Sequence, residues 1–308
     1  MRYFSKVNYR LSLIFSAFVY LVVSTTQSYA QSTKTLEVSD YEQWENLGFS
    51  STFSDDGNWF LYDIRRNNKK NEIRLHNLSD NSIKILPEGS RAQFTADSKW
   101  LGYFINPTAK AREKSKTPLR SEFRIMNLVS GDSMTAKDVS SFSFTDDSKY
   151  LAMKRFATKG KKSKGSDLVI RNLVTNQEYN FGNVAEYDWK DDSNTIAMVI
   201  DADGKAGNGL HLFNPETGVL KVLDSKEAVY SGLRWREESD DLAVFRSFED
   251  DAYEDESQHI LAWHNVSSKK VTASVFNQTT TQSFPDHNKV ITSRSLTWSD
   301  NGESLFFA

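Results

Sequence analysis

The sequence contains no cysteine, and this absence limits its covalent and metal chemistry. Without thiols the chain forms no disulfide, uses no cysteine nucleophile and holds no thiolate-bound metal. Only 5 of its 308 residues are proline and 14 are glycine, which excludes collagen-like and low-complexity chains. Stability must therefore come from side-chain packing, and the 13% of aromatic residues supply the large apolar surfaces that packing needs.

Short motifs that mark common catalytic centres are missing as well. The sequence has no G-x-S-x-G nucleophile elbow, no G-x-x-x-x-G-K-[ST] phosphate loop and no H-E-x-x-H metal helix. Three of the five histidines occupy repeat positions that hold unrelated residue types in the other repeats: His76, His211 and His264. The other two, His259 and His287, lie at or near loops. We therefore predict no catalytic residue, no metal ligand and no cofactor in this chain.

Only one long apolar run occurs, and it lies at the N-terminus. Arg2, Lys6 and Arg10 come before or at the start of the run at residues 11–23, and small residues follow at Ser28 and Ala30. This pattern is typical of a signal peptide cleaved after Ala30, so a periplasmic or secreted protein is expected, with no membrane contact after cleavage. An uncleaved membrane anchor is the alternative, although about 13 residues fall short of the ~20 that span a bilayer.

No strong charge of either sign remains after that cleavage. The formal charge of −3 becomes about −6 when the three basic residues of the first 30 are removed. A nucleic-acid partner is therefore not indicated, because such proteins carry basic patches.

What the sequence does contain is an internal repeat. Six segments start at Phe53, Phe94, Phe144, Trp189, Trp235 and Trp298, and read FSDDGNWFLY, FTADSKWLGY, FTDDSKYLAM, WKDDSNTIAM, WREESDDLAV and WSDNGESLFF. Their spacings of 41, 50, 45, 46 and 63 residues lie close to the length of a four-stranded propeller blade. Each segment predicts a strand ending in an aromatic residue, an acidic turn, and a second strand with apolar residues at alternate positions.

Two further features recur within the repeat. A small residue stands between the apolar positions of the second strand in four segments, at Gly102, Ala152, Ala197 and Ala243, so we expect close packing of a neighbouring blade there. A third strand in each of the first five repeats leads to an asparagine that begins a turn, at Asn77, Asn127, Asn172, Asn214 and Asn265. A fourth strand follows.

The repeat predicts an all-β fold, a β-propeller of four-stranded antiparallel blades with five complete and a sixth truncated at Ala308. The expected division is a signal peptide at 1–30, a lead-in segment at 31–48 and an incomplete propeller at 49–308. An unpaired strand edge invites aggregation, so we interpret the chain as a fragment of a longer protein; the alternatives are an edge completed by residues 31–48 or by a partner. The acidic turns are interpreted as structural turns, because calcium loops need alternate oxygen ligands over a longer stretch.

The loops between second and third strands are the predicted place for function, because in a propeller they emerge on one face. Two are basic, at residues 110–116 and 159–164, and residues 249–256 (EDDAYEDE) are acidic. Solvated loop tips are the plain interpretation. The functional hypothesis is that the acidic loop binds a charged substrate terminus, with the candidate residues Glu249, Asp250, Tyr253, Glu254 and Glu256.

These residues also carry a family resemblance. The pattern Asp40-Tyr41-x-x-Trp44-x-x-Leu47 followed by FSDDGNWFLY, and the acidic loop running into Ile260-Leu261-Ala262-Trp263, resemble secreted bacterial members of the prolyl oligopeptidase family of serine peptidases. The blade motifs themselves are shared with other propellers, including TolB-like periplasmic scaffolds.

The resemblance implies an N-terminal propeller that gates or binds peptide substrate for an α/β-hydrolase domain, which would carry the Ser, Asp and His triad. That domain is missing from these 308 residues, so none of the triad can be assigned and the chain alone is expected to be inactive. The expected partners are a peptide substrate or the hydrolase domain of the parent protein. The alternative is a non-catalytic, TolB-like or WD-repeat-like periplasmic propeller that binds proteins as a scaffold.

Overall fold

A computed structural model describes residues 35–249, 256–278, 280–285 and 288–308. The chain divides between Trp44 and Glu45 into two units. In the first, the described residues include one short helix, α1 (Val38–Tyr41), with the Tyr41 and Trp44 rings 4.6 Å apart. The second unit is almost entirely β-structure, and its first strand begins at Glu45, before the predicted propeller start at residue 49.

The strands of the second unit follow the repeat. Repeat 1 forms the sheet β1 (Glu45–Phe53), β2 (Trp59–Arg66), β3 (Glu72–Asn77) and β4 (Ile83–Pro87). Repeat 2 forms β5 (Gly89–Phe94), β6 (Trp100–Ile105), β7 (Glu122–Asn127) and β8 (Ser133–Ala136), with a helix α2 (Ala109–Lys114) between β6 and β7. In both sheets each strand pairs antiparallel with the next one along the chain.

Repeats 3 and 4 join into one sheet of seven strands. These are β9 (Val139–Phe144), β10 (Tyr150–Arg155), β11 (Ser166–Asn172), β12 (Glu178–Trp189), β13 (Ile196–Ile200), β14 (Gly209–Asn214) and β15 (Val219–Ser225). β12 has 12 residues and serves both as the last strand of repeat 3 and the first of repeat 4. The prediction of two separate four-stranded sheets was wrong here, because no turn interrupts β12.

Repeat 5 is again four-stranded, with β16 (Val229–Trp235), β17 (Leu242–Phe248), β18 (Ser257–Trp263) and β19 (Ser274–Asn277). The sixth motif forms a two-stranded sheet, β20 (Thr297–Trp298) and β21 (Leu305–Phe306). The predicted aromatic strand ends are confirmed in all six repeats. Among the helices that the structure describes, none is long and apolar enough to cross a membrane.

The core consists of five clusters, and each lies between two successive repeats. Leu61 of repeat 1 packs with Leu101 of repeat 2, and Phe104 of repeat 2 packs with Leu151 of repeat 3. The same arrangement joins repeats 3 and 4, 4 and 5, and 5 and 6. Meander sheets stacked in chain order, with both faces of the second strand buried in repeats 2–5, are the packing of propeller blades.

The acidic turns are built from a hydroxyl and a carboxylate. In repeat 3, Thr145 Oγ1 donates to Asp147 at 2.8 Å and accepts a hydrogen bond from the Tyr150 backbone at 3.0 Å. Ser148 then takes the left-handed conformation, with a φ of 61°. Repeats 1 and 2 share this turn, which satisfies its backbone groups locally.

Repeats 4 and 5 differ, because lysine and arginine replace the turn hydroxyl at Lys190 and Arg236. Ser193 and Ser239 accept the backbone hydrogen bonds instead, at 3.1 Å each. The positive φ moves one residue back, to Asp192 and Glu238. A small residue therefore takes the left-handed position in repeats 1, 2, 3 and 6, at Gly57, Ser98, Ser148 and Gly302, and not in these two.

Candidate functional site

Pairing between the first and second strands of every four-stranded repeat is interrupted by a register shift typical of a β-bulge. The shift lies between Leu47 and Ser51 in repeat 1, between Ser90 and Gln93 in repeat 2, and between Ser231 and Arg234 in repeat 5. The register also shifts in β12 between Val184 and Glu186, and where β9 meets the end of β10. Bulges twist a strand and re-aim its side chains, so they shape the surface that the first strands present.

Polar contacts connect the bulges of successive repeats. Arg91 donates to the Ser140 carbonyl at 3.2 Å, and its guanidinium lies 3.7 Å from the centre of the Phe104 ring. Lys154 donates to the Ala185 carbonyl. The Leu233 backbone in turn donates to Glu186 at 3.0 Å. A side chain of one repeat thus holds a bulge in place in each of these three junctions.

A cavity of about 890 Å³ follows the first strands of repeats 1 and 2. All six residues of β5 line it, so it extends over roughly 20 Å at the rise of a β-strand. We call it the first-strand cavity; its walls come from β1, β5, the ends of β2 and β3, the turn of repeat 3 and α2. A groove of that length accommodates about six residues of extended peptide.

Three arginines line the first-strand cavity: Arg65, Arg91 and Arg112. The Arg65 side chain is half-exposed, 3.7 Å from the Asp63 carboxylate and 5.0 Å from the ring of Phe49. Arg112 comes from α2, whose N-cap residue Thr108 accepts a hydrogen bond from the Ala111 backbone N–H at 3.1 Å. The cavity therefore offers guanidinium groups beside an apolar ring.

Backbone strain is concentrated at the start of β5. Glu88 and Arg91 both adopt a left-handed conformation, with φ of 56° and 49°, and both line the first-strand cavity. Such conformations cost free energy for residues with a Cβ and recur at binding sites. Burial raises the pKa of Glu88, against the opposing charge of Arg112.

A second cavity of about 400 Å³ adjoins the first and shares Phe144 and Asp146 with it. We call it the aspartate cavity, because Asp188 and Asp191 also line it. Burial, and then the charge of Asp191, raise the pKa of Asp188 to about 6, while Arg234 opposes the shift. The indole N–H of Trp189, in the same wall, is buried with no hydrogen-bond partner.

The residues predicted from the acidic loop are only partly described. Glu249 pairs with Lys205 at 3.1 Å and its side chain is 85% exposed, and Glu256 is exposed just before β18. Asp250, Tyr253 and Glu254 lie outside the described residues. Substrate binding by this loop stays a prediction.

Sequence reasoning found one contributor to the cavities and missed the others. The basic loop at residues 110–116 forms α2 and supplies Arg112 to the first-strand cavity. In the loop at residues 159–164, the backbones of Ser163 and Lys164 instead donate to Asp203 and Asp201. Arg65 and Arg91 gave no signal in the repeat pattern, because a bulge brings Arg91 into the wall.

Three of the described histidines make individual polar contacts away from the two cavities. His76 lies 2.7 Å from Asn81, and His259 lies 2.8 Å from Arg246. His264 pairs with Asp241 at 3.1 Å. His211 is half-buried, and burial lowers its pKa. His287 lies outside the described residues.

The described residues offer no clustered set of metal ligands. Within the described ranges, no group of three or more histidine, aspartate or glutamate side chains is arranged to hold an ion. The acidic turns make other contacts. The Asp97 backbone donates to Ser148 at 2.9 Å and the Asp192 backbone donates to Asp146 at 2.9 Å, so turn residues connect successive repeats.

No protein-family model matches the chain, and no curated protein matches its sequence. Among solved structures, the β-propeller domain of the Trilobed protease from Pyrococcus furiosus is similar at 14% identity, over 76% of this chain and 72% of that chain, with a TM-score of 0.42. A prolyl endopeptidase is similar at 12% identity, over 84% of this chain and 38% of that chain, with a TM-score of 0.46. TolB from Acinetobacter baumannii is similar at 13% identity, over 72% and 52%, with a TM-score of 0.34.

Structural neighbours of the chain thus include propeller domains of prolyl endopeptidase and acylaminoacyl peptidase proteins. The chain spans 38% of the prolyl endopeptidase and 40% of the acylaminoacyl peptidase from Pyrococcus horikoshii. Sequence identities of 12–14% concern the fold alone. The propeller assignment rests on the strand order and on the five clusters between repeats.

Proposed function

We propose that this chain is a propeller domain that binds or admits short peptides for a serine peptidase of the prolyl oligopeptidase type. The triad would lie in an α/β-hydrolase domain outside these 308 residues. The observation that carries the proposal is the first-strand cavity, where Arg65, Arg91 and Arg112 lie among carboxylates, together with the adjoining aspartate cavity lined by Asp146, Asp188 and Asp191. A short peptide with free ends carries the complementary pair of charges.

Each end of such a peptide has a suitable environment. A carboxylate next to Arg91 or Arg112 would form a charge-assisted hydrogen bond, stronger than one between neutral groups. An ammonium group near Asp188 would favour its charged form, against the desolvation and the charge of Asp191 that raise the pKa of that carboxyl. The exposed ring of Phe49 lies in the same wall as the arginines and offers apolar contact to the peptide side chains.

Calorimetric titration of the purified chain with an unlabelled hexapeptide tests the proposal. Arg91→Gln or Arg112→Gln should weaken binding about tenfold, the loss expected for one charge-assisted hydrogen bond. Blocking the peptide C-terminus as an amide should have a similar effect on the unmodified chain. The matched control is Arg120→Gln, since Arg120 is an exposed arginine paired with Asp138 away from the cavities.

Two results would contradict the proposal. One is a chain that binds no hexapeptide but captures a folded protein, which would favour the scaffold alternative. The other is equal binding by the Arg112→Gln and Arg120→Gln chains. Chromogenic peptides should show no hydrolysis above buffer, and turnover by the purified chain would overturn the assignment of the chemistry to another domain.

Export is part of the same proposal. Residues 1–30 lie outside the described residues, and we propose that they direct the chain out of the cytoplasm and are removed after Ala30. N-terminal sequencing of protein recovered from a bacterial periplasm should start at Gln31. A chain that keeps Met1 and sediments with membranes would instead support the uncleaved anchor.

A further inference from the structure

A small cavity lies between the sheets of repeats 1 and 2, and among the described residues it shares none of its lining with the first-strand cavity. Its volume is about 150 Å³, and at ~30 Å³ for each water molecule it has room for about five waters or one small anion. We call it the edge cavity, because it lies beside β4 and β8, which are edge strands of two four-stranded sheets. It is lined by residues 84–87, Tyr103, Ile105, Arg124, Met126 and Ser133.

The charge of the edge cavity is positive. Lys84 comes from β4 and Arg124 from β7, and among the described residues in the lining none carries a carboxylate. Glu122 lies two residues before Arg124 on the same face of β7, but it is exposed and outside the lining. Two positive charges that share a small cavity repel each other, and an anion bound there would offset that repulsion.

The ammonium group of Lys84 has a poor acceptor. Its Nζ donates to Met126 Sδ at 3.1 Å, and among the described residues this thioether sulfur, a weak acceptor, is its hydrogen-bond partner. Lys221 holds the same register position in repeat 4. There the Nζ donates to the backbone carbonyls of Val266 at 2.8 Å and Ser268 at 3.0 Å. The next repeat thus satisfies Lys221, whereas Lys84 keeps donors for the oxygens of a ligand.

Tyr103 adds a neutral donor to the same wall. Tyr103 and Arg124 lie directly opposite each other where β6 pairs with β7, so their side chains share one face of the sheet. Tyr103 is 3% exposed, and burial raises the pKa of its hydroxyl against the charge of Arg124, so the hydroxyl keeps its proton at neutral pH. Arg124 donates through Nε to the Thr135 hydroxyl at 3.1 Å, which orients the guanidinium and leaves its other N–H groups for further acceptors.

The next junction shows that the packing of blades does not require these polar residues. Between repeats 2 and 3, the register positions of Lys84, Tyr103 and Arg124 hold apolar residues instead: Met134, Met153 and Val169. All three belong to the apolar cluster of that junction. The polar set between repeats 1 and 2 therefore calls for an explanation other than packing.

We propose that the edge cavity binds a tetrahedral oxyanion, a phosphate or sulfate group, between Lys84 and Arg124 with the Tyr103 hydroxyl as a third donor. The planar guanidinium of arginine matches two oxygens of such a group, and the compact ammonium of lysine supplies a point charge. Donors from three different strands suit an anion whose oxygens point in several directions better than a flat carboxylate. The site is independent of the peptide-binding role proposed above, because it lies outside both cavities assigned to that role.

Titration of the purified chain with inorganic phosphate, followed by ³¹P NMR at constant ionic strength, tests this proposal. A dissociation constant of roughly 1 mM is expected for two charge-assisted hydrogen bonds in a partly open site. Lys84→Met and Arg124→Met should each weaken binding at least about tenfold, and Tyr103→Phe about threefold. The matched control is Lys221→Met, which also removes one positive charge and should leave the affinity unchanged. Far-UV circular dichroism verifies that each chain is folded.

Comparison ligands identify the source of the anion. Binding of phosphate alone supports a site for the free ion, whereas binding of both phosphate and O-phosphoserine supports a site for the phosphate group of a larger molecule. Sulfate should compete with phosphate, and acetate should not. The proposal is overturned if neither phosphate nor O-phosphoserine binds, if acetate competes as strongly as sulfate, or if folded Lys84→Met and Arg124→Met chains bind phosphate as tightly as the Lys221→Met control.

Discussion

Gly102 offers the sharpest test of how the repeats pack. It lies in β6 at the interface between repeats 2 and 3, and a Cβ built on it would lie 2.7 Å from Phe142 Cε2 and 3.0 Å from Phe144 Cζ. Its φ lies outside the left-handed region, so alanine can adopt the backbone conformation. The Gly102→Ala substitution therefore measures crowding between two blades and little else.

The expected magnitude follows from two opposing effects. An extra methyl group in a tightly packed core costs about 1–3 kcal/mol, whereas replacing glycine by alanine returns about 0.4–1 kcal/mol through the unfolded chain. The free energy of unfolding should fall by about 1–2 kcal/mol. For a domain of this size that loss lowers the thermal midpoint by roughly 2–8 °C.

Urea denaturation and thermal melts of Gly102→Ala give this loss directly. The matched control is Gly182→Ala in β12, where the nearest atom to a new Cβ is Asp167 Oδ1 at 4.0 Å. That variant should be as stable as the original chain or slightly more stable. A Gly102→Ala chain of unchanged stability, or an equal loss in both variants, would refute the close packing of repeats 2 and 3.

Other predictions concern the turns and the carboxyl groups of Asp188 and Asp147. Thr145→Val should lower the free energy of unfolding by about 1–2 kcal/mol, because the Tyr150 N–H loses its acceptor. Thr117→Val, at an exposed residue, is the control for the urea midpoint. The raised pKa of Asp188, about 6 against an ordinary 3.8, means that the fold favours its protonated form, so this group's contribution to stability falls as the pH rises from about 4 through 6. Asp188→Asn should therefore raise the melting midpoint at pH 7.5 and leave it unchanged at pH 4, and an equal change at both pH values would disprove the shift. Asp147 has the opposite sign, because its pKa is lowered to about 2. Its contribution to the stability of the fold is therefore present above about pH 4 and is lost as the pH falls towards 2. This loss should be missing from the acid unfolding curve of Asp147→Asn.

Local features of the fold could be predicted from the sequence. The six strands that end at Phe53, Phe94, Phe144, Trp189, Trp235 and Trp298 were all placed correctly, and the third strands of the first four repeats end at the predicted asparagines. In repeat 5 the strand stops at Trp263 instead, and Asn265 adopts a φ of 50°. These features depend on alternation and on hydrogen bonds within a few residues, which short sequence segments specify.

The candidate site was less accessible to sequence reasoning. Of the charged cavity residues, only Arg112 lies in a loop that its composition marked as unusual. The wall position of Arg91 depends on a bulge, and the contact between Arg91 and Ser140 spans 49 residues of chain. Register shifts of a single residue leave no trace in an alternating pattern of this kind.

By itself the sequence determined the repeat, the strand order within each blade and the acidic turns, because alternating side chains and local hydrogen bonds encode them. Only the tertiary structure decided that β12 runs through two repeats, that three arginines gather in the first-strand cavity, and that this cavity adjoins one lined by Asp146, Asp188 and Asp191. Each of these depends on how one sheet packs against the next. That packing joins residues some 40–50 positions apart. The hydrogen bond from the Asp192 backbone to Asp146, for example, joins residues 46 positions apart.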